Sequence, residues 1–175
     1  MESRAVKWWG WGWEDRSRPV EGLPVLWRYV QERLKLDSAV RRVPPIEQVR
    51  IPPSLLSPDE LTEIEKLVGE GNLSVEHEDR VAHAVGRSYK DIVRLRSGNL
   101  YRAPDAVLFP EDEDSVQGVL ELARRRRYAI IPFGGGTSVV GGVEPLADGT
   151  YAAPLTLDLR RMHRIKAIDE PSGLV

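Results

Sequence analysis

The stretch "IIPFGGGTSVVGG" at residues 130–142 places five of the chain's 15 glycines directly behind an apolar run. Without side chains, main-chain N–H groups can converge on an anion, and phosphate is the anion most often held in this way. Thr137 and Ser138 add hydroxyl donors at the same bend. The stretch therefore predicts a strand that ends in a phosphate-binding loop.

The residues before this loop predict a β-α-β unit over residues 105–133. "PDAVLFP" is typical of a short buried strand, and "YAIIPF" is typical of a second one. Between them, "EDEDSVQGVLELARRRR" has helical spacing, with acidic residues first and arginines last, as suits the helix dipole. We expect Val116, Val119, Leu120 and Ala123 to face the core. Strands joined by such a helix are expected to be parallel.

Beyond the loop, "APLTLDL" and "RIKAIDE" (residues 164–170) predict two more strands. The turn "DEPSG" is then followed by only two residues. A hairpin that stopped there would leave the edge of a sheet unpaired, which folded proteins avoid. We therefore expect this chain to be the N-terminal part of a longer protein.

The first hundred residues have mainly helical patterns interrupted by prolines. "LPVLWRYVQERLKL" predicts one helix, and "SPDELTEIEKLVGEG" predicts a second, with Ser57 and Glu60 as a capping box. Ser88 is expected to cap a third. The predicted fold class is α+β. A helical and extended segment over residues 1–100 precedes the first part of a second domain over residues 101–175.

Composition excludes several classes of protein. The chain has 25 basic and 27 acidic residues, a net charge of −2, whereas nucleic-acid binders usually present a strongly basic face. The absence of cysteine excludes disulfides and thiol catalysis. The N-terminus lacks the apolar core of a secretory signal, and no apolar run approaches the roughly 20 residues of a membrane span. We expect a cytoplasmic protein.

Three kinds of phosphate site are candidates for the glycine loop. A P-loop needs a lysine after its last glycine, but no lysine occurs between Lys90 and Lys166. A dinucleotide fingerprint needs a third small residue and a helix, whereas Val139 and the following "GGVEPLADGTYA" provide neither. Asp158 is then a turn former at a strand end rather than a ribose-binding acid. A pyrophosphate wrap without a helix remains, beside a purely structural turn.

Gly134, Gly135 and Gly136 permit positive φ and a close approach of ligand to backbone. We expect Gly135→Val to abolish ligand binding, because a β-branched residue resists positive φ and blocks the close approach of the ligand.

"PFGGGTSVVGG", preceded by "RAPDAVLFPEDEDSVQGVLELARRRRYAI", resembles the start of the FAD-binding domain of the vanillyl-alcohol-oxidase (PCMH-type) flavoproteins. Upstream, "KWWGWGWED" and "DRVAHAVGRSYKDIVRLRSG", and downstream "LTLDLRRMHRI", are similar in the same order to the alkylglycerone-phosphate synthases (alkyldihydroxyacetonephosphate synthases). The resemblance covers nearly the whole chain but about the first third of such a protein.

The resemblance implies a pyrophosphate wrap and FAD as the cofactor. By position, the wrap would consist of Pro132, Phe133, Gly134, Gly135, Gly136, Thr137, Ser138 and Val139. Some members of the superfamily attach the flavin through a histidine in this loop, and this loop has none. We therefore expect noncovalent FAD.

The family's reaction exchanges the acyl chain of acyl dihydroxyacetone phosphate for a fatty alcohol, without net redox, with flavin N5 holding the substrate. Its catalytic residues would lie beyond Val175, so none is named here. The alternative is an FAD-linked oxidase or dehydrogenase of 2-hydroxy acids such as D-lactate or glycolate. A third hypothesis is a cofactor-free binding module. The expected partners are a small or lipid-like substrate and no nucleic acid, with peripheral membrane contact and a homodimer as further expectations.

His77, His83 and His163 are widely separated, so no metal site is expected. We interpret His83 as a structural histidine with satisfied hydrogen bonds and His163 as a surface residue.

The tryptophans of the N-terminus suit either of two roles. Trp8, Trp9, Trp11 and Trp13 either anchor the N-terminal segment on the domain, which we favour, or contact a lipid interface.

Overall fold

The computed structural model describes residues 6–16, 22–36, 43–145 and 149–174. The described helices are α1 (Pro24–Leu34), α2 (Pro58–Val68), α3 (His77–Ala82), α4 (Tyr89–Ser97) and α5 (Glu113–Arg126). The strands are β1 (Leu73–Ser74), β2 (Ala106–Leu108), β3 (Tyr128–Phe133) and β4 (Ala153–Asp158). The structure also has short 3₁₀ turns at Glu14–Arg16, Ile46–Gln48 and Leu159–Arg161.

The strands form one mixed sheet in the order β1-β2-β4-β3. β2 and β3 each pair in parallel with β4, whereas β1 pairs antiparallel with β2. The predicted β-α-β unit is present as β2, α5 and β3, with β4 inserted between its two strands. The predicted α+β class is confirmed.

The main core lies between one face of the sheet and the helices α2 and α5. It contains a continuous cluster of buried apolar side chains, in which Leu108, Leu122 and Leu155 are almost inaccessible. Ile64 and Val68 of α2 belong to the same cluster. The part of the chain before residue 101 therefore contributes directly to the core under the sheet. The division at residue 100 stays a prediction.

A second cluster holds the upstream helices α3 and α4 together. It includes Val81, Val85, Ile92 and Leu95, with Trp8 packed against its edge. Trp9 lies under Arg96, whose guanidinium carbon is 5.1 Å from the ring centroid.

The tryptophans thus have two different environments. Trp8 and Trp9 contact the domain, as the favoured interpretation requires, whereas Trp11 and Trp13 are exposed.

Two predictions about the core and sheet were wrong. Residues 164–170 form no strand: their only sheet-like contact is a bridge from Asp169 to Leu174. β4 lies between β2 and β3, and residues 164–170 pair with none of the described strands. Leu120 is exposed, because α5 turns Leu122 rather than Leu120 toward the sheet.

The helix α1 forms where it was predicted, but it has no buried residue, and Val25, Leu26 and Tyr29 are all exposed. Among the described residues, no helix is long and apolar enough to cross a membrane.

The capping box predicted for α2 and the Ser88 cap predicted for α4 are both present. In α2 the Ser57 side chain accepts from the Glu60 N–H, and Glu60 accepts from the Ser57 N–H; in α4 Ser88 and Asp91 do the same. Glu60 also accepts a 2.6 Å hydrogen bond from the Tyr128 hydroxyl of β3. This hydrogen bond, followed by those from Ser57, lowers the pKa of Glu60 to about 2. Burial, followed by the bond to Glu60, raises the pKa of Tyr128.

We expect Tyr128→Phe to destabilise the protein by about 1 kcal/mol at pH 7, because it removes a hydrogen bond to a charged but partly exposed group. A lowered pKa stabilises the fold above the group's ordinary value of 4.5, and that contribution is lost as the pH falls toward 2. In urea unfolding, the difference in the free energy of unfolding between wild type and Tyr128→Phe should therefore become smaller as the pH falls from 4.5 to 2. A difference that stays constant over this range would contradict the assignment.

Candidate functional site

The glycine loop lies at the edge of the sheet where the parallel strands end. Phe133, the last residue of β3, is paired with Asp158, the last residue of β4. Ligands of sheets with parallel strands commonly bind beyond the carboxyl ends of those strands. The loop therefore begins where a ligand site is expected.

Gly136 is the residue at which this loop requires glycine. Its φ is +66°, and a Cβ placed there would lie 2.5 Å from Cζ of Phe133. The ring of Phe133 is buried against the backbone of Gly136, so any side chain at this position would displace the ring.

One of the two reasons for the expectation at Gly135, a positive φ, was wrong. Gly134 and Gly135 do not have positive φ, and a Cβ on Gly135 would meet only the Thr137 Cγ2 at 3.6 Å. Both glycines are exposed. A side chain at Gly135 would project toward solvent, where only a bound ligand could oppose it.

The main-chain N–H groups of residues 134–137 donate no hydrogen bond to any residue that the structure describes. Successive main-chain N–H groups without an acceptor carry partial positive charge, which a bound anion can neutralise. Such a row fits the oxygens of a diphosphate, which accept hydrogen bonds and carry negative charge. The residues present therefore fit the predicted pyrophosphate group.

Some of the predicted site residues are exposed and accessible to a ligand, whereas others are buried and hold the loop in shape. Gly134, Gly135, Thr137, Pro132 and Val139 are exposed, Ser138 is half-buried, and Phe133 and Gly136 are buried. Ser138 does not point freely outward, because its hydroxyl accepts a 3.0 Å hydrogen bond from the Gly142 N–H. The loop thus offers backbone and Thr137 to a ligand and uses Phe133 and Ser138 to hold its shape.

Asp158 is a fully buried carboxylate beside this loop, with 0% of its surface exposed. Its Oδ2 accepts from His83 Nε2 at 3.0 Å and from Arg160 Nε at 2.8 Å, and its Oδ1 accepts from the Arg160 main-chain N–H. Although burial opposes ionisation, the hydrogen bonds from His83 and Arg160 lower the pKa of Asp158 well below its usual range. The carboxylate is therefore charged and fully paired.

Both ring nitrogens of His83 face acceptors. Nδ1 lies 2.7 Å from the carbonyl oxygen of Asp79, and Nε2 contacts the Asp158 carboxylate. Each ring nitrogen therefore has a polar partner within hydrogen-bond distance. The ring also lies 4.4 Å from that of Phe133. His83 is thus a satisfied structural histidine, as interpreted, and it supports the ring on which Gly136 rests.

Sequence reasoning missed the pairing of His83 with Asp158, because 75 positions separate the two residues. Asp158 was recognised only as a turn former, a role it also has in the 3₁₀ turn Leu159–Arg161. A lone histidine in the apolar "VAHAV" and an acid ending the apolar "LTLD" were the available indications.

The other histidines lie apart from this edge. His77 contacts the Ile46 carbonyl oxygen at 3.1 Å, and His163 is exposed. No cluster of three or more metal-ligating side chains occurs among the residues described by the structure.

The sequence model of the FAD-binding domain family matches residues 104–175. The match contains β2, α5, β3, the glycine loop and β4. The unpaired N–H groups of residues 134–137 lie at the edge of this unit. FAD, the cofactor predicted from the sequence, is confirmed.

Relatives extend the similarity upstream of the FAD-binding domain. The alkyldihydroxyacetonephosphate synthase of Trypanosoma brucei brucei is 30% identical over 96% of this chain and 30% of its own length. That of Dictyostelium discoideum is 29% identical over 71% of the chain and 20% of its own length. Two crystal structures of an alkyldihydroxyacetonephosphate synthase superpose with TM-scores of 0.77 and 0.78 at 26% identity, over 95% of the chain.

The chain spans about a third of the length of these relatives. The predicted resemblance to the synthases is confirmed, and with it an FAD-binding flavoenzyme family. A mitochondrial D-lactate dehydrogenase of Arabidopsis thaliana is also similar, at 29% identity over 63% of the chain.

Gly136→Ala should destabilise the FAD-binding domain by about 2–4 kcal/mol, from left-handed backbone strain and overpacking against Phe133. Gly135→Ala is the matched control, and we expect a change within about 0.5 kcal/mol because its Cβ meets no close neighbour. Urea unfolding of both variants makes the comparison. Equal losses of stability would contradict the conformation of the loop described above.

Asp158→Asn should cost about 3–5 kcal/mol, because it removes the buried carboxylate that pairs with both His83 and Arg160. Asp59→Asn removes an exposed carboxylate from the first turn of α2 and should cost less than about 1 kcal/mol. Thermal unfolding at pH 7 compares the two. A loss at Asp158 no larger than that at Asp59 would exclude the ion pair as a structural support.

Proposed function

We propose that the intact protein is an FAD-dependent alkyldihydroxyacetonephosphate synthase of ether-lipid synthesis. The observation that carries this proposal is the extent of similarity: 96% of the chain aligns with the trypanosomal synthase, including the upstream segment outside the FAD-binding domain. Similarity to the D-lactate dehydrogenase extends over 63%. The similarity reaches further upstream in the trypanosomal synthase than in this dehydrogenase, which favours the reaction of the synthases.

In this proposal, residues Pro132–Val139 bind the diphosphate of FAD. The exposed amides after β3 donate to its oxygens, and the hydroxyl of Thr137 is available as a further donor. Phe133 and Gly136 keep the loop close to the sheet. When bound, FAD supplies the flavin ring at which the exchange takes place. The loop contains no histidine, so the binding is noncovalent.

The proposed reaction releases the fatty acid of acyl dihydroxyacetone phosphate and joins a fatty alcohol through an ether bond. No electrons are gained or lost overall. The reaction therefore needs no external electron acceptor, which separates it from the alternative, oxidation of a 2-hydroxy acid such as D-lactate or glycolate.

The intact protein, loaded with FAD, should convert acyl dihydroxyacetone phosphate and a long-chain alcohol into alkyl dihydroxyacetone phosphate and free fatty acid, detected by mass spectrometry. D-lactate and glycolate, with a dye as electron acceptor, provide the comparison. Reduction of the dye without ether formation would reject the synthase function and show that the protein is a 2-hydroxy-acid dehydrogenase. A colourless protein that takes up no FAD would support the third hypothesis, a cofactor-free module.

Peripheral membrane contact and a homodimer stay predictions. Trp11, Trp13 and the exposed side chains of α1 are the described residues that suit a lipid interface, because indole rings favour a half-apolar, half-aqueous environment.

A further inference from the structure

The turn after α3 and the helix α4 contact the glycine loop from outside the matched FAD-binding domain. The family match begins at residue 104, whereas these contacts come from residues 83–94. They touch the loop at three places.

The first contact is between Gly86 and Ser138. The main-chain N–H of Arg87 donates to the Ser138 carbonyl oxygen at 2.7 Å. A Cβ at Gly86 would lie 2.1 Å from that oxygen and 3.0 Å from its carbon. Both are main-chain atoms and cannot rotate away, so only glycine permits this approach.

The second contact holds the far end of the loop. Arg94 of α4 donates to both carboxylate oxygens of Glu144, from Nη1 at 2.6 Å and from Nη2 at 3.0 Å. Arg94 is held in turn by Asp91, the residue that completes the capping box of α4. Hydrogen bonding to Glu144 raises the pKa of Arg94, which is the direction expected of a close bidentate pair.

The third contact is between the rings of His83 and Phe133, whose centroids lie 4.4 Å apart with planes tilted by 54°, and Gly136 packs against the Phe133 ring. The near end of the loop is therefore supported by His83, its middle by Gly86 and Arg87, and its far end by Arg94. All three supports come from one short stretch of chain. That stretch is itself fixed in the second core cluster through Val85 and Ile92.

We propose that residues 83–87 and Arg94, here named the upstream brace, are positioning residues that set the loop in the shape that binds the diphosphate of FAD. This rests on the proposed role of the loop. A loop of five glycines has many accessible conformations, and ordering it on binding costs free energy. The upstream brace removes most of that cost before the ligand arrives, which is the physical basis of preorganisation.

The test is Gly86→Ala in the intact protein, with Gly22→Ala as the matched control because its Cβ would meet no atom within 4 Å. We expect the FAD dissociation constant, from quenching of flavin fluorescence, to rise about tenfold or more in Gly86→Ala and to stay unchanged in the control. Hydrogen exchange of residues 134–144 without FAD should accelerate in Gly86→Ala only, independently of any cofactor.

Arg94→Lys is the second variant, since it keeps the charge and the fold but loses the bidentate geometry. It should weaken FAD binding and loosen the far end of the loop, without a matching change in the melting temperature of the FAD-free protein. If both variants bind FAD as wild type does, or leave the exchange of the loop unchanged, the upstream brace is refuted. If wild type itself binds no FAD while the variants still loosen the loop, the proposed function fails instead and the bracing of the loop stands.

Discussion

The buried carboxylate of Asp158 is the constraint on which the rest of this edge depends. A charge with no solvent exposure is tolerated only when it is paired and hydrogen-bonded, and His83 and Arg160 supply both. His83 comes from the end of α3 and Arg160 from the turn after β4. Satisfying Asp158 therefore fixes the upstream helices, the central strand and the chain beyond it in one arrangement. The ring of Phe133, and through it the glycine loop, takes its place from that arrangement.

Local patterns predicted much of the fold. The capping boxes at Ser57 and Ser88 involve residues three apart, and the unit of β2, α5 and β3 is continuous in sequence. The glycine loop was recognised for the same reason: its chemistry lies within eight consecutive residues. In each case the determining interactions are short in sequence, where spacing alone carries the information.

The errors arose where distant parts of the chain decide the outcome. Residues 164–170 were predicted as a strand from local sequence, but they pair with none of the described strands of the sheet. Leu120 has the right helical spacing, yet the position of α2 against α5 selects Leu122 instead. At the candidate site, the sequence could propose glycine but not identify Gly136 as the strained position, because that depends on the ring of Phe133. The supports from His83, Gly86 and Arg94 were not predictable from spacing for the same reason.

Pro132 has a consequence for the open side of the sheet. β3 is an outermost strand, so its outward main-chain groups could accept an additional strand from another molecule. Proline has no amide hydrogen and is accepted in sheets mainly at such borders. A strand from another molecule that pairs with β3 would find no N–H donor at Pro132, one residue before Phe133. The ladder of hydrogen bonds between the two strands therefore cannot extend over the glycines. The bend is thereby protected from intermolecular β-pairing by an imino acid within the strand itself.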